Sequence, residues 1–286
     1  MGEAPLTVEE KFVEVEGVKI RYLSSTPPAG ASPGLPLLLI HGYIASAETW
    51  DHVVDALGAR HPIVRLDLPD HHRSAAIPDK DHSMARYRKI VGAFLRTLPA
   101  PTWGLVGNSI GGMLSAMAAL DLPEKVDRLV LLDPAGLVHP FPSSTVRLYT
   151  PLILPAMFFA PSEKKWRKFL GKSCFCDPKF VEDGWVRQLR EEWGPRARRK
   201  PYLAAGMAVR KHDASLAQNL EKIRCPTLLI WGRQDVQFNV SIGEAAVKRI
   251  PGAKLSVLEN CGHMPQIEKP KETAEAILSF LDGPGP

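Results

Sequence analysis

The sequence predicts an α/β protein whose mostly parallel, doubly wound sheet is interrupted by a helical insertion. Short, continuously apolar segments alternate with longer segments of helical spacing, which is typical of β-α-β units whose strands are buried on both faces. This alternation stops at Leu137 and resumes after His212. We therefore expect a core formed by residues 1–136 and 213–286 and a helical lid (cap) at residues 137–212.

The elements of the core follow in chain order. Lys11 to Glu16 and Val18 to Leu23 are β-branched or alternating runs divided by Gly17, which predicts an opening hairpin. Later strands are predicted from apolar runs that end abruptly, and helices from apolar residues three and four positions apart. The predicted strands are 35–40, 63–66, 103–107, 128–132, 226–231 and 254–258. The predicted helices are 49–57, 83–98, 109–120, 240–249 and 271–281.

The predicted lid has an unusual composition. Prolines interrupt an apolar stretch that ends at Pro161, and two charge-rich, helix-like segments follow. Between Leu137 and His212 there are fifteen Lys and Arg against six Asp and Glu, so this segment is the source of the net charge of +5 of the whole chain. We find no nucleic-acid-binding motif around these charges and expect no nucleic-acid partner. A solvated helical surface is the preferred interpretation, and contact with a membrane of anionic lipid or with another polyanion is the alternative.

The composition narrows the class of protein. At 286 residues and 45% hydrophobic residues, the chain can bury a substantial core. Residues Met1 to Lys11 lack the apolar segment of an export signal, so we expect a cytoplasmic location. The cysteines lack the paired spacing of zinc sites or disulfide frameworks, and we expect no metal. The four cysteines are Cys174, Cys176, Cys225 and Cys261.

Residues 107–111 carry the motif G-x-S-x-G between an apolar strand and an Ala-rich helix. In this context the serine takes strained backbone angles, and its hydroxyl is exposed at the end of the sheet. The N-terminus of the next helix favours negative charge at the same place. We therefore predict Ser109 as a catalytic nucleophile. The alternative is that Ser109 only caps the helix after a glycine-rich turn.

A serine that attacks a carbonyl group needs N–H donors for the oxygen that gains negative charge. One candidate is the backbone amide of Ile110, directly after the predicted nucleophile. The other is the amide of Tyr43, in the loop that follows the strand ending at His41-Gly42. In isolation His-Gly is more typical of a plain turn, so this oxyanion-hole prediction depends on Ser109.

The predicted general base is His263, in a glycine-containing loop between the last strand and the last helix. The predicted acid is Asp235, just past the strand that ends at Trp231. A carboxylate there can hold the imidazole by its other nitrogen and stabilise the imidazolium. Asp133 is the rival acid because it also ends a core strand, although Asp133-Pro134 is typical of a strand-end turn.

Five segments together closely resemble the α/β-hydrolase superfamily. They are His41-Gly42-Tyr43, Asp67-Leu68-Pro69 and residues 107–112, 231–235 and 260–263. The resemblance covers nearly all of the chain outside the predicted lid, and it implies the α/β-hydrolase fold with a triad in the chain order Ser109, Asp235, His263. Within the superfamily, residues 134–137 and 258–263 are similar to monoacylglycerol lipases. Small carboxylesterases and meta-cleavage-product C–C hydrolases belong to the same branch.

Two segments depart from the common pattern. Asp70 and His72 stand where the family commonly has glycines, so we expect another loop shape near the site. C–C hydrolases usually have a Gly-Pro-Gly-like oxyanion loop and a tryptophan after the catalytic histidine. This chain has Tyr43-Ile44-Ala45 and Met264 at these places, which favours ester hydrolysis.

We therefore expect a serine hydrolase that cleaves carboxylic esters with an apolar acyl chain through an acyl-enzyme, without a cofactor. The expected partner is a small lipophilic ester such as a monoacylglycerol. Apolar residues of the lid are predicted to bind it, namely Leu137, Leu152, Met157 and Phe158, although packing of the lid onto the core would explain them equally well. Two alternatives stay open. One is a C–C bond hydrolase that uses Arg187 or Arg190 to bind a substrate carboxylate, and the other is a slow-turnover binding protein on the same fold.

Overall fold

The computed structural model describes residues 6–28, 33–138, 162–193, 201, 203–204 and 214–283. Its sheet has eight strands in the order β1-β2-β4-β3-β5-β6-β7-β8. They are β1 (Thr7–Val15), β2 (Val18–Thr26), β3 (Leu37–Ile40), β4 (Ile63–Leu66), β5 (Trp103–Asn108), β6 (Val126–Leu132), β7 (Thr227–Gly232) and β8 (Lys254–Leu258). β1 pairs antiparallel with β2 and β2 with β4, and all later pairs are parallel. The predicted mostly parallel sheet with an antiparallel opening hairpin is thus confirmed.

The opening hairpin is longer than the sequence predicts. Both strands have nine residues, and Val15 pairs with Val18 across a two-residue turn. Glu16 and Gly17 have φ angles of 52° and 73°, the left-handed backbone that tight hairpin turns require. β1 lies at the edge of the sheet and is exposed along most of its length. Because exposed polar side chains interrupt its apolar residues, a prediction based on apolar runs detects only part of this strand.

Helices cover both faces of the sheet, as the doubly wound prediction requires. In chain order they are α1 (Asp51–Gly58), α2 (Met84–Thr97), α3 (Ile110–Asp121), α4 (Glu163–Ser173), α5 (Asp183–Trp193), α6 (Ser215–Gln218), α7 (Ser241–Ala246), α8 (Pro265–Glu268) and α9 (Pro270–Leu281). α2, α3 and α7 contribute to one large apolar core, which includes Phe94 and Met113. α1 and α9 enclose a second core on the other face, which includes Trp50 and Ile277. These two cores hold the carboxyl ends of the parallel strands in fixed positions.

The described part of the predicted lid consists mainly of α4, α5 and a short 3-10 helix at Pro178–Phe180. Trp166 and Leu170 of α4 and Trp185 of α5 form a third apolar cluster. The same cluster contains Ile44 and Met264, which come from two loops at the edge of the sheet. α4 and α5 are therefore packed against those loops. The division of the chain into core and lid at residues 137 and 212 stays a prediction.

Part of the predicted lid falls outside the described residues. Leu152, Met157 and Phe158, three of the predicted substrate-binding residues, belong to that part. Across the ranges that are described, no helix combines the length and apolar character needed to cross a bilayer.

Candidate active site

Ser109 occupies the turn between β5 and α3. Its backbone angles are φ 56° and ψ −117°, a conformation that residues with a Cβ rarely adopt. Its side chain makes no hydrogen bond to the first turn of α3, all of which is described. Capping of the helix therefore does not explain this serine, and its hydroxyl stays available for chemistry at the end of the sheet.

The strained turn is held from several sides. The amide of Ser109 donates to the Leu132 carbonyl at 3.0 Å, and the Ser109 carbonyl accepts from the amide of Ala135 at 3.0 Å. A Cβ on Gly111 would lie 2.1 Å from the carbonyl oxygen of Ile40, so only glycine allows α3 to approach β3 this closely. Such surroundings are what allow a sparsely populated backbone conformation to persist.

The loop after β3 lies directly beside the turn that carries Ser109. A Cβ on Gly42 would stand 3.1 Å from the Cβ of Ser109. Tyr43 follows Gly42, and Ile110 is the first residue of α3. Amides in the first turn of a helix have no partner within the helix. The two amides predicted to form an oxyanion hole therefore come from segments that flank Ser109.

His41 fixes the shape of this loop. Its Nε2 accepts from the Leu68 amide at 2.9 Å, and its Nδ1 lies 2.7 Å from the Gly42 carbonyl oxygen. Burial lowers the pKa of His41 well below its ordinary value, and the neighbouring His71 lowers it further. The ring is thus neutral, which fits one accepting and one donating nitrogen. It is a structural histidine of the loop that carries Tyr43.

Helix α5 also contacts this loop. The indole N–H of Trp185 donates to the Ile44 carbonyl at 3.0 Å. Ile44 has a φ of 61°, so its peptide is held in a left-handed conformation. Trp185 in α5 therefore buttresses the backbone next to Tyr43.

Asp235 and His263 meet at the carboxyl ends of β7 and β8. The Asp235 Oδ2 and the His263 Nδ1 are 2.8 Å apart, and both residues are buried. The other carboxylate oxygen of Asp235 accepts from the amides of Gln237, at 2.7 Å, and Phe238, at 3.1 Å. These bonds orient the carboxylate so that one oxygen faces the imidazole.

The loop at residues 259–264, which carries His263 and is called the histidine loop below, is linked to the turn that carries Ser109. The side-chain amide of Asn108 donates to the His263 carbonyl at 3.1 Å, and Asn108 directly precedes Ser109. The amide of His263 donates to the Cys174 carbonyl at 2.9 Å, which joins the loop to the end of α4. The predicted nucleophile, base and acid therefore lie at one edge of the sheet. Sequence reasoning had no means of assigning this role to Asn108, the variable residue of the motif.

Asp133 ends a core strand, as predicted, and it also lies close to Asp235, the predicted acid. It is fully buried, and its Oδ1 accepts from the amide of Gly232 at 3.0 Å. Ligand-type atoms of Asp133, Asp235 and His263 all lie within 4.8 Å of one another. Burial raises the pKa of Asp133 well above its ordinary value, and the negative charge of Asp235 raises it further. The structure thus brings the two rival acids together.

Glu268 is a further buried carboxylate that the sequence analysis did not single out. It accepts from the amide of Gly262 at 2.9 Å and from the amide of Cys176 at 3.0 Å. Burial raises its pKa to about 7, against the opposing effect of these hydrogen bonds. Glu268 therefore joins the loop that carries His263 to the segment directly after α4. The sequence offered one signal for it, a charged residue directly after the uncharged segment Met264-Pro265-Gln266-Ile267.

The structure also describes three other features that the sequence analysis singled out. Leu137 is buried in the large core and lines an open cavity of about 280 Å³ with Val138; its role in substrate binding stays a prediction. Cys261, one of the four cysteines that lack the spacing of a zinc site or a disulfide framework, is a buried free thiol whose pKa is raised by burial. Asp70 and His72 have φ angles of 66° and 44°, so both keep the left-handed backbone that glycine adopts freely.

Comparison with known proteins agrees with this geometry. The family described as alpha/beta hydrolase fold matches residues 36–270, a range that contains Ser109, Asp235 and His263. The chain belongs to the α/β-hydrolase fold family.

Relatives of this α/β hydrolase include two named enzymes. Monoacylglycerol lipase abhd6-A of Xenopus laevis is 29% identical over 288 residues, covering 96% of this chain and 83% of the relative. A 2-hydroxy-6-oxononadienedioate/2-hydroxy-6-oxononatrienedioate hydrolase of Burkholderia vietnamiensis is 28% identical over 282 residues, covering 95% of each chain. Among solved structures, a bacterial membrane phospholipase A has a TM-score of 0.82 and 30% identity, covering 96% of this chain and 86% of that one. This α/β hydrolase is similar to hydrolases along almost its whole length, and it is itself a hydrolase.

Proposed function

We propose that this α/β hydrolase cleaves carboxylic esters with an apolar acyl chain, and that Ser109, His263 and Asp235 are its nucleophile, base and acid. The observation that carries the proposal is the buried hydrogen bond of 2.8 Å between Asp235 and His263, which Asn108 links to the strained turn of Ser109. A hydroxyl, an imidazole and a carboxylate in this relationship perform acyl transfer on several unrelated folds.

The reaction follows from the tautomer of His263. Because Nδ1 donates to Asp235, Nε2 carries the lone pair and takes the hydroxyl proton as the Ser109 oxygen attacks the ester carbonyl carbon. The amides of Tyr43 and Ile110 stabilise the negative oxygen that forms. Collapse of this intermediate breaks the ester C–O bond, and the imidazolium returns the proton to the leaving alcohol. Water then attacks the acyl-enzyme by the same route and releases the acid.

A monoacylglycerol is the proposed substrate, and two observations support an apolar acyl chain. A lipase and a phospholipase are named among the similar proteins. The loops that flank the site also carry apolar side chains, Ile44 beside Tyr43 and Met264 beside His263. As the sequence predicts, we also propose that the acyl chain is bound by the lid residues Leu137, Leu152, Met157 and Phe158. Contact of the lid with a membrane surface and a cytoplasmic location stay predictions.

A fluorophosphonate probe and a series of p-nitrophenyl esters test the proposal. We expect rapid labelling of the wild type, none of Ser109→Ala, and hydrolysis that increases from acetate to longer acyl chains. Ser115→Ala is the matched control because Ser115 lies in α3 and bonds only to the Gly111 carbonyl within the described residues. Equal inertness of wild type and Ser109→Ala towards every ester would contradict ester hydrolysis, and slow labelling would favour the binding-protein alternative.

C–C bond hydrolysis is the second candidate, because the relative from Burkholderia vietnamiensis matches along 95% of both chains. Arg187 or Arg190 of α5 would then bind the substrate carboxylate. Arg190 already pairs with Glu163 at 2.6 Å on an exposed surface, and the loop Tyr43-Ile44-Ala45 departs from the pattern of C–C hydrolases. Turnover of a 2-hydroxy-6-oxo-dienoate in preference to all p-nitrophenyl esters would establish this candidate in place of the first.

A further inference from the structure

Asp133 is a buried carboxyl group that the proposed reaction does not use. One of its oxygens, Oδ1, accepts from the Gly232 amide, whereas Oδ2 has no hydrogen-bond donor among the described residues although it is shielded from solvent. An ionised carboxylate in that position would leave a charged oxygen unpaired in a low-dielectric interior, which is strongly unfavourable. The geometry therefore points to a different protonation state.

The neighbour that can satisfy this group is the Asp235 carboxylate. Ligand atoms of the two side chains lie within 4.8 Å of each other. Two ionised carboxylates at this distance repel each other, but a carboxylic acid beside a carboxylate can donate a hydrogen bond. Asp235 has to be the ionised partner because it already accepts from three donors, the amides of Gln237 and Phe238 and the imidazole of His263. The proton therefore belongs on Asp133.

We propose that Asp133 is a neutral carboxylic acid that donates its proton in a hydrogen bond to Asp235, and that it acts as a positioning residue for the Asp235–His263 pair. This hydrogen bond adds a restraint on the Asp235 carboxylate beyond the two backbone amides and the imidazole. The neutral state also keeps the site at one negative charge instead of two. The catalytic purpose rests on the proposed function, whereas the proton on Asp133 does not.

The surrounding ionisable groups favour the neutral state. Asp133 faces Asp235 and His263 across the ends of β7 and β8, Glu268 of α8 and the Cys261 thiol. Of these groups only His263 can become positive, and it is paired with Asp235. Burial is the largest cause of the raised pKa of Asp133, and the charges of Asp235 and Glu268 act in the same direction.

A metal ion is the competing explanation for one histidine and two carboxylates whose ligand-type atoms lie within 4.8 Å of one another. The His263 Nδ1 and the Asp235 Oδ2, two of the atoms that could ligate such an ion, are hydrogen-bonded to each other at 2.8 Å. A metal ion bound by both would have to break this bond. We therefore favour protonation of Asp133 over metal binding by the three residues.

Asp133→Asn is the informative variant. Asparagine keeps an oxygen for the Gly232 amide, offers an N–H to Asp235, and tolerates the φ of 42° at this position. It resembles the neutral acid and not the carboxylate. Asp133→Ala removes the donor and serves as the contrasting variant.

The first experiment measures stability and is independent of activity. Denaturant unfolding of wild type and Asp133→Asn is compared at several pH values between about 5 and 8. A raised pKa in the folded state means that folded wild type holds a proton that the unfolded chain has lost over this range. Stability from this group is present below the unfolded pKa and is lost as the pH rises towards the folded pKa. We expect the unfolding midpoint of the wild type to fall relative to that of Asp133→Asn as the pH rises, and parallel curves would overturn the proposal.

The second experiment measures the pH dependence of ester hydrolysis or of labelling at Ser109. We expect Asp133→Asn to stay within about fivefold of wild type with the acidic limb of the profile unmoved, and Asp133→Ala to lose about tenfold in kcat at unchanged KM. If Asp133 is ionised, its loss removes a negative charge near the base, and the acidic limb of Asp133→Asn moves down by about 1–3 pH units. If EDTA abolished labelling of the wild type and zinc restored it, a bound metal ion and not a proton on Asp133 would explain the cluster, and the proposal would be overturned. A wild type that neither hydrolyses esters nor labels would defeat the proposed function, while the unfolding experiment would still test the proton.

Discussion

Replacement of Asp235 by asparagine tests the central hydrogen bond of the site. The Oδ1 of Asp235 accepts from the amides of Gln237 and Phe238, so an asparagine must keep its carbonyl oxygen there. The opposite orientation would lose two hydrogen bonds of about 0.5–1.5 kcal/mol each and set an NH2 group against two N–H donors. In the Asp235→Asn variant the new NH2 group therefore points at the Nδ1 of His263, which must then accept.

This orientation has a defined consequence for catalysis. An imidazole that accepts at Nδ1 carries its proton on Nε2, and such a ring cannot take the proton of Ser109. The imidazolium also loses the charge of its partner carboxylate. We expect kcat/KM to fall by about 10³ to 10⁴, which corresponds to about 4–5.5 kcal/mol of lost transition-state stabilisation.

The assay is hydrolysis of p-nitrophenyl butyrate by wild type, Asp235→Asn and Asp79→Asn, with thermal unfolding measured for all three. Asp79 is the matched control because its exposed carboxylate lies in a surface loop and contacts only Arg86 and the amide of Asp81 among the described residues. An Asp235→Asn variant that keeps more than about one tenth of the wild-type kcat/KM would refute the reasoning, since a wrong tautomer cannot be that active. The acid of the reaction would then have to be sought elsewhere, with Asp133 as the first choice.

Three further predictions follow from single contacts. In Gly232→Ala the added methyl group would lie 1.9 Å from the Gly262 carbonyl oxygen, so the histidine loop must move; we expect kcat to fall at least about 100-fold, and activity close to wild type would contradict this. Trp185→Phe removes the N–H that donates to the Ile44 carbonyl. In steady-state kinetics we expect kcat to fall about tenfold at constant KM. A change in KM alone would assign the tryptophan to substrate binding instead. Phe94→Ala empties a fully buried position in the large core, so denaturant unfolding should show a loss of about 3–5 kcal/mol, whereas a loss below about 1 kcal/mol would mean that the core refills the space.

The parallel part of the sheet was predictable because its strands are buried on both faces. Leu37–Ile40 and Trp103–Asn108 are continuous apolar runs for this reason, and their positions agree with prediction within two residues. The edge strand Thr7–Val15 was predicted too short because exposure removes the apolar signal. Helix Ser241–Ala246 is shorter than its predicted range of 240–249, since residues beyond it form turns that the periodicity does not distinguish from a helix.

Part of the site was also predictable. The motif at residues 107–111 can be recognised locally because the strained turn needs glycines at fixed offsets from Ser109. His263 and Asp235 could be proposed from their positions after successive strands. Other features of the site could not be predicted, because they join residues remote in sequence and no local pattern records such pairs. They are the contact between Asp235 and His263, the support of the loop after β3 by His41 and Trp185, and the hydrogen bonds of Glu268 to Gly262 and Cys176.

By itself, the sequence determined the order of strands and helices, the nucleophile turn and the choice of candidate residues, because these depend on local periodicity and on short motifs. The position of Asp235 already favoured it over Asp133, and only the tertiary structure shows which of the two carboxylates is hydrogen-bonded to His263. Both residues end a core strand and are chemically identical in sequence. Their roles separate only when the fold gives one of them three hydrogen-bond donors and buries the other beside it, where a second negative charge is too costly.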